Sequence, residues 1–245
     1  MKNRLLILTK GELQRLTKYN VTTISFVVAV VWFLLLFFID DIDIFSSMLP
    51  FIVIVDATML AVIFIGAIMF FEKTESTIST MLVTPVKNSD LILSKAISNT
   101  IHTTMSTLLI IIVFYFVKDI EVVWYIVIPA LVISVFFHSL LGFVFSFHTK
   151  DFTSLLVWVM LYSFVFIIPT ALHFFNIFFK GDIWKYILLI TPSQAALKLI
   201  EAGFGAEIGI EFFISLIVLV AGSILGYYYY VLPKFKEYAV KQSGV

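Results

Sequence analysis

Six long apolar runs, separated by polar breaks, cover residues 21–39, 48–71, 96–117, 122–147, 152–174 and 211–232. Each is close to the ~20 residues that about 30 Å of hydrocarbon requires of a helix, and the shortest, Val21 to Ile39, has 19. The pattern predicts six membrane-spanning helices. Ahead of them, in residues 1–20, Leu5, Leu6, Leu13 and Leu16 stand among basic residues. That spacing predicts an amphipathic helix lying on a membrane surface. The first run is long and has no small-residue cleavage site, so it reads as a retained span rather than a signal peptide. Residues 233–245 form a polar tail.

Two breaks are not plain turns. Residues 175–210 number 36 and are apolar in two pieces, "WKYILLI" and "AALKLI", separated by Thr191-Pro192-Ser193. Both pieces are too short to span. They predict two short helices, the second capped by Ser193. The pair is either re-entrant, dipping into the bilayer against protein, or flat at the interface. In residues 72–95, Ile78, Met81, Leu82 and Pro85 recur at i, i+3, i+4 and i+7, opposite Ser76, Thr77, Ser79 and Thr80. This predicts a short helix with one apolar stripe. Pro85 ends it, and Asn88-Ser89-Asp90 offers a cap and a first-turn carboxylate for the helix that follows. From periodicity alone the short helix is either a connector at the membrane surface or a handle for a soluble partner.

Composition fixes the class and charge fixes the orientation. The chain is 61% hydrophobic and 13% charged, where a soluble domain is nearer half and a quarter. It predicts an all-α integral membrane protein. Without cysteine, disulfides, thiol catalysis and thiolate metal sites are excluded. Of the 16 Lys and Arg, 12 lie in the segments on one side of the six runs: 1–20, 72–95, 148–151 and 233–245. The positive-inside rule makes those segments and both termini cytoplasmic. Trp124, Tyr125, Trp184 and Tyr186 then fall at the outer boundary and Tyr227 to Tyr230 at the inner one, the headgroup level that such rings favour.

Candidate chemistry is sparse. The His-Glu-x2-His and Gly-x-Ser-x-Gly patterns are absent, and the four histidines are scattered, which argues against an intramembrane enzyme. Asp40, Asp41 and Asp43 read as a solvated acidic turn, with a cation site the weaker alternative. Asp56 is the one ionisable residue read as lying well inside a run. A carboxylate there must face protein or water, with Tyr162 and Ser163 on the fifth run the nearest donors by depth. It is either an interhelical hydrogen bond or a polar contact on a translocation path. Gly222 and Gly226 make a small-xxx-small pair, suited to packing within the chain or to dimerisation. Pro129 and Pro169 predict kinks. None of the ten glycines is followed by lysine, so the chain lacks the usual phosphate-cradling loop.

The 72–95 stretch carries one further signal. Glu72, Lys73, Thr77, Ile78, Leu82, Val83, Thr84, Pro85 and Lys95 stand where the first cytoplasmic loop of ABC transporter permeases of the type-2 export class carries E-[KR]-E-x-G-T-L-E-x-L-L-V-T-P and a following lysine. Ser76 replaces the usual Gly and Ser79 the second Glu. The stretch resembles that loop, and the layout of six spans with a re-entrant pair before the last is similar. Within the class the chain looks most like small permeases that export drugs such as fluoroquinolones. The resemblance implies that the loop is a coupling helix, with Glu72, Lys73, Thr77, Ile78, Met81, Leu82, Thr84 and Pro85 as its ATPase-coupling residues. It implies two copies of a separate ABC ATPase that bind ATP and Mg, a second permease copy, and the plasma membrane of a prokaryote. This chain itself would bind no cofactor, metal or nucleic acid and would not be an enzyme. The expected function is an exporter permease for an apolar or amphipathic substrate (drug, lipid or peptide). The alternatives are an ion-coupled carrier or channel and, behind it, an intramembrane enzyme.

Overall fold

The structure is a computed structural model that describes residues 2–82 and 84–242. Val83 and the last three residues of the tail lie outside them. The described residues are helical and contain no strand. Helices α1 (Lys2–Lys18) and α2 (Val21–Phe37) are followed by the long α3 (Ile42–Thr74), the short α4 (Thr77–Leu82), α5 (Asn88–Val117) and α6 (Trp124–His148). Then come α7 (Phe152–Tyr162) and α8 (Ile168–Phe174), the short α9 (Asp182–Leu189) and α10 (Pro192–Ala202), and finally α11 (Ile210–Gly226) and α12 (Leu232–Gln242). A π-helical turn, Ser163–Ile167, makes α7 and α8 one continuous rod, and a second, Tyr227–Val231, does the same for α11 and α12.

Among the described residues, five helices are long and apolar enough to cross a membrane: Ile42–Thr74, Asn88–Val117, Trp124–His148, Phe152–Phe174 and Ile210–Phe235. The first apolar run behaves differently. Its helix, α2, has 17 residues, about 25 Å at ~1.5 Å per residue. It bends 64° from α1. The break is at Asn20, whose φ of 59° lies in the left-handed region, where Asn is better tolerated than most residues. The count is six only if this bent pair makes one span.

Helix α3 is the central post. It runs 33 residues, about 50 Å, well beyond the apolar run at 48–71. Asp41 starts it: one carboxylate oxygen accepts from the backbone N–H of Asp43 (3.0 Å) and Ile44 (3.1 Å), so part of the acidic turn is a helix cap. Leu49, Val53, Ala57 and Ala61 of α3 meet Ile111 and Phe114 of α5, Leu131 and Val135 of α6, and Ala195 and Leu199 of α10 in the main core. The α3–α6 contact is close because Gly142 has no side chain. A Cβ there would stand 2.8 Å from Ile65 Cβ and 2.9 Å from the Val62 carbonyl oxygen.

The 175–210 segment does fold as two short helices. They differ in character. Eight of the 11 side chains of α10 are buried, whereas α9 exposes Ile183, Trp184, Tyr186 and Ile187. The expected cap is corrected: Thr191, not Ser193, precedes α10 and accepts from the Gln194 N–H at 3.4 Å. Ser193 is fully buried instead, bonded to the Phe166 carbonyl (2.9 Å) and the Thr170 hydroxyl (2.8 Å). Pro192 cannot donate, so it takes the first helical position, and the cap falls at Thr191, two residues earlier than expected. Pro169 likewise sits just past a π-helical turn, inside a span that continues through it.

Candidate functional site

At one end of the bundle α1, the 75–87 loop, the 149–151 turn and α12 come together; this is the basic end. The loop leaves α3 at Glu75 and turns at Ser76, whose φ is 56°. That left-handed conformation favours glycine, the residue the resembled pattern carries at this place. The Thr77 hydroxyl donates to the Glu72 carbonyl at 3.1 Å and that of Thr84 to the Met81 carbonyl at 2.6 Å, so each end of α4 is tied back. Lys73 Nζ reaches across to the Lys150 carbonyl at 3.1 Å. Tyr19 donates to Glu75 at 2.8 Å. Partial burial, then this bond to a carboxylate, pushes the Tyr19 phenol up to about 12.

The apolar stripe on α4 turns inward. Ile78 is buried in a core with Met69, Leu91, Ile92 and Phe235, and Met81 is half-buried against the same cluster. Solvent meets Thr74, Glu75, Ser76, Thr80, Thr84 and Pro85 instead. The side chain of Leu82 lies outside the described ones. Among the described side chains, the face that this loop leaves to solvent is therefore largely polar.

Under the loop lies a buried ion cluster. Glu12 and Arg15 come from α1, Glu72 from the end of α3 and Lys95 from the start of α5. Arg15 Nη1 donates to Glu72 Oε1 at 2.7 Å and to Glu12 Oε1 at 3.1 Å. Lys95 Nζ donates to Glu12 Oε1 at 3.0 Å and pairs with Glu72 Oε1. Glu72 is 0% exposed, Lys95 1% and Glu12 5%. Two carboxylates face two cations, so the cluster is neutral as a unit. Charges this deep persist only when paired and hydrogen-bonded. The two ends of the loop, Glu72 and Lys95, are thus clasped, and α1 is fastened to the clasp. Glu12 and Arg15 were not among the expected site residues. Their signal was present: Glu12 is the only acid in the first 39 residues, and it shares a helix face with Thr9 and Leu16, which are buried with it.

A second polar feature lies in the bundle's interior. Asp56 is 14 residues into α3 and 3% exposed. Its Oδ1 accepts from Trp32 Nε1 at 3.1 Å and its Oδ2 from the Thr107 hydroxyl at 2.7 Å. The expected donors are engaged elsewhere. Tyr162 is bonded to His138 Nε2 at 2.8 Å, and Ser163 donates to the Val159 carbonyl at 2.9 Å. The reason is the face of α3 that carries Asp56: it looks toward α2 and α5, whereas Ser163 meets Met59 and Tyr162 clusters with Val62 on the face turned to α7. Asp56 is also not the sole ionisable group inside a helix of spanning length. His138 is fully buried in α6, its Nδ1 paired with the Ser134 carbonyl at 2.7 Å, and Glu72 and Lys95 belong to α3 and α5.

Between these features α5 presents a buried polar face to α3. Lys95, Asn99, Thr103 and Thr107 recur every four residues and are all buried. Asn99 Nδ2 donates to the Ala61 carbonyl at 3.0 Å and to the Ser139 hydroxyl at 2.8 Å. α3 and α5 are therefore joined by polar contacts at three levels: Glu72–Lys95, Ala61–Asn99 and Asp56–Thr107. Of the glycine pair, Gly222 is used inside the chain, since a Cβ there would lie 2.7 Å from Phe137 Cε2, while Gly226 has nothing within 4 Å.

Fold and site together define a class: an all-helical chain of the multi-pass membrane type, with a clasped helical loop at one end. No protein-family model and no curated protein matches the chain.

Proposed function

We propose that this chain is the transmembrane subunit of an ATP-driven exporter of the ABC type-2 class. In this reading α2 counts as a sixth span, α9 and α10 are the re-entrant pair, and the basic end, with both termini, is cytoplasmic. The loop 72–95 is the coupling element. The observation that carries the reading is the clasp at its base. A loop meant only to connect two spans needs no buried Glu72–Lys95 pair fastened to α1, whereas one that receives force must be rigid where it joins its helices. A push on α4 then moves α3, α5 and α1 together. The exposed polar face, from Glu75 to Pro85, is the docking surface for a separate ATPase, which holds ATP and Mg. Two permeases and two ATPases make the transporter, in the plasma membrane of a prokaryote. The cargo is apolar or amphipathic, in keeping with the Phe- and Ile-rich helices.

A carrier or channel coupled to an ion gradient is the competing reading, and the buried polar face of α5 favours it. Asn99 and Thr107 on that face are, however, bonded to α3 and α6 rather than left to line a path.

The test is purification of the tagged chain from its native membrane with mass spectrometry of what accompanies it. We expect a polypeptide carrying Gly-x4-Gly-Lys-[Ser/Thr] in a one-to-one ratio, lost on Thr80→Arg. Transport that survives ATP depletion and stops on collapse of the proton gradient would overturn the proposal.

A further inference from the structure

We propose that Asp56 is the anionic half of a binding site for an organic cation, reached from the bilayer by displacement of α2, with the Trp32 indole N–H standing in the cation's place at rest.

The carboxylate is nearly fully buried, and both of its oxygens are held by neutral donors, Trp32 and Thr107. Among the described residues no Lys, Arg or His forms an ion pair with it, although seven such pairs occur elsewhere in the chain. A carboxylate in an apolar interior gains most from an opposite charge. Two neutral hydrogen bonds hold it in place without supplying that charge.

One of its two donors sits on a sparsely buried element. Thr107 belongs to α5, which is packed into the core. Trp32 belongs to α2, where only Val21, Ser25 and Leu36 of the 17 residues are buried. Phe26, Val27, Val30, Val31, Leu34 and Leu35 are exposed on the same helix, on the surface that lipid covers. The bend at Asn20 provides the hinge. Swinging α2 outward removes Trp32 from Oδ1 and opens the carboxylate toward the acyl chains. A lipophilic cation dissolved in the bilayer would place its charge on Asp56 and its apolar body where α2 had been. The ring of Trp32 can close over it, since indole is the best side-chain face for a cation. A purely structural hydrogen bond gives no reason to put the donor on a helix that buries only three of its 17 residues.

This inference takes its transport direction from the proposed exporter reading, but the binding step itself needs no ATPase. The two therefore fail separately. The measurement is equilibrium binding of radiolabelled tetraphenylphosphonium to the purified chain in lipid nanodiscs, against two neutral competitors of similar shape, triphenylphosphine oxide and tetraphenylsilane. Saturable binding is expected, displaced by neither competitor and weakened at least tenfold by Asp56→Asn. That variant keeps the shape of the side chain, and the Thr107 hydroxyl can turn to accept from the new amide. Trp32→Phe keeps an aromatic face, a weaker one for a cation, and removes the N–H that competes for Oδ1, whose loss dominates because that bond must be broken before the cation can bind. It should tighten binding severalfold. A merely structural Asp56 would bind no cation in the parent chain, and Trp32→Phe would then loosen α2 without creating affinity. Absence of saturable binding, equal affinity in Asp56→Asn, or binding unchanged or weakened by Trp32→Phe would each overturn the proposal. The last outcome is readable even if Asp56→Asn does not assemble.

Discussion

Lys95 holds two carboxylates in a place where water does not reach. Its ammonium touches both Glu12 and Glu72, and only Arg15, about one third exposed, shares the load. Replacing a buried ion pair as a whole can be harmless, but removing one partner leaves a charge uncompensated and costs about 3–5 kcal/mol. Lys95→Met should therefore lower the thermal midpoint of the purified chain sharply. Glu75→Gln, at an exposed position, should change it little, in line with the small worth of surface charges. The triple variant Glu12→Gln, Glu72→Gln, Lys95→Met should regain much of what the single variant loses. A Lys95→Met protein as stable as the parent would show that the clasp is not a structural necessity. The sequence offered Glu72 and Lys95 as matches to a pattern, yet nothing local says that they touch. They are 23 residues apart and meet Glu12, 60 residues before Glu72, only through the packing of three helices. For the same reason the partners of Asp56 were misjudged: depth along a helix is legible, but which helix stands opposite is not.

At the scale of elements, hydropathy located the runs well and their ends poorly. It senses the hydrocarbon a helix crosses and not how far the helix continues. α3 begins at Ile42 and α5 at Asn88, several residues ahead of their apolar runs, because polar residues such as Asp43 and Asp90 suit a first helical turn. The inward turn of α4 was hidden for a related reason, since an apolar stripe reports that a face is covered and not by what. Helices α3 and α5 flank the loop and are tied at three levels; in the proposed exporter they are the rod that would transmit its movement. Asn99 is the middle tie. Asn99→Leu removes its bonds to Ala61 and Ser139 and should cost about 1 kcal/mol, the scale of polar contacts between membrane helices. Its larger effect should be on coupling: in reconstituted transporter, cargo-stimulated ATP hydrolysis should fall severalfold while basal hydrolysis and ATPase binding persist. Equal losses of stimulated hydrolysis and of ATPase binding would mean that Asn99 only holds the fold.

The whole molecule is electrically polarised. At the basic end 12 Lys and Arg stand against six carboxylates; at the other end nine carboxylates, in residues 40–43, 119–121 and 182–211, stand against four lysines. This asymmetry is the basis for placing the basic end in the cytoplasm. The chain has no cysteine, so single introduced thiols report cleanly. Asp43→Cys should react with an impermeant reagent in intact cells, and Lys87→Cys only after permeabilisation; both positions are exposed. The reverse pattern would turn the molecule over and separate the loop from any cytoplasmic ATPase.

The central claim is that the clasped loop docks a separate ATPase, and contact at a single exposed position tests it most directly. Thr80 lies on the exposed face of α4. Thr80→Cys, carrying a short photoactivatable cross-linker in native membranes, should capture one polypeptide with a Gly-x4-Gly-Lys-[Ser/Thr] loop. The yield should change when ATP is trapped, and the same linker on Ser47→Cys at the opposite end should capture no such polypeptide. A Thr80→Cys protein that transports normally yet cross-links to no nucleotide-binding polypeptide, with or without trapped ATP, would contradict the account.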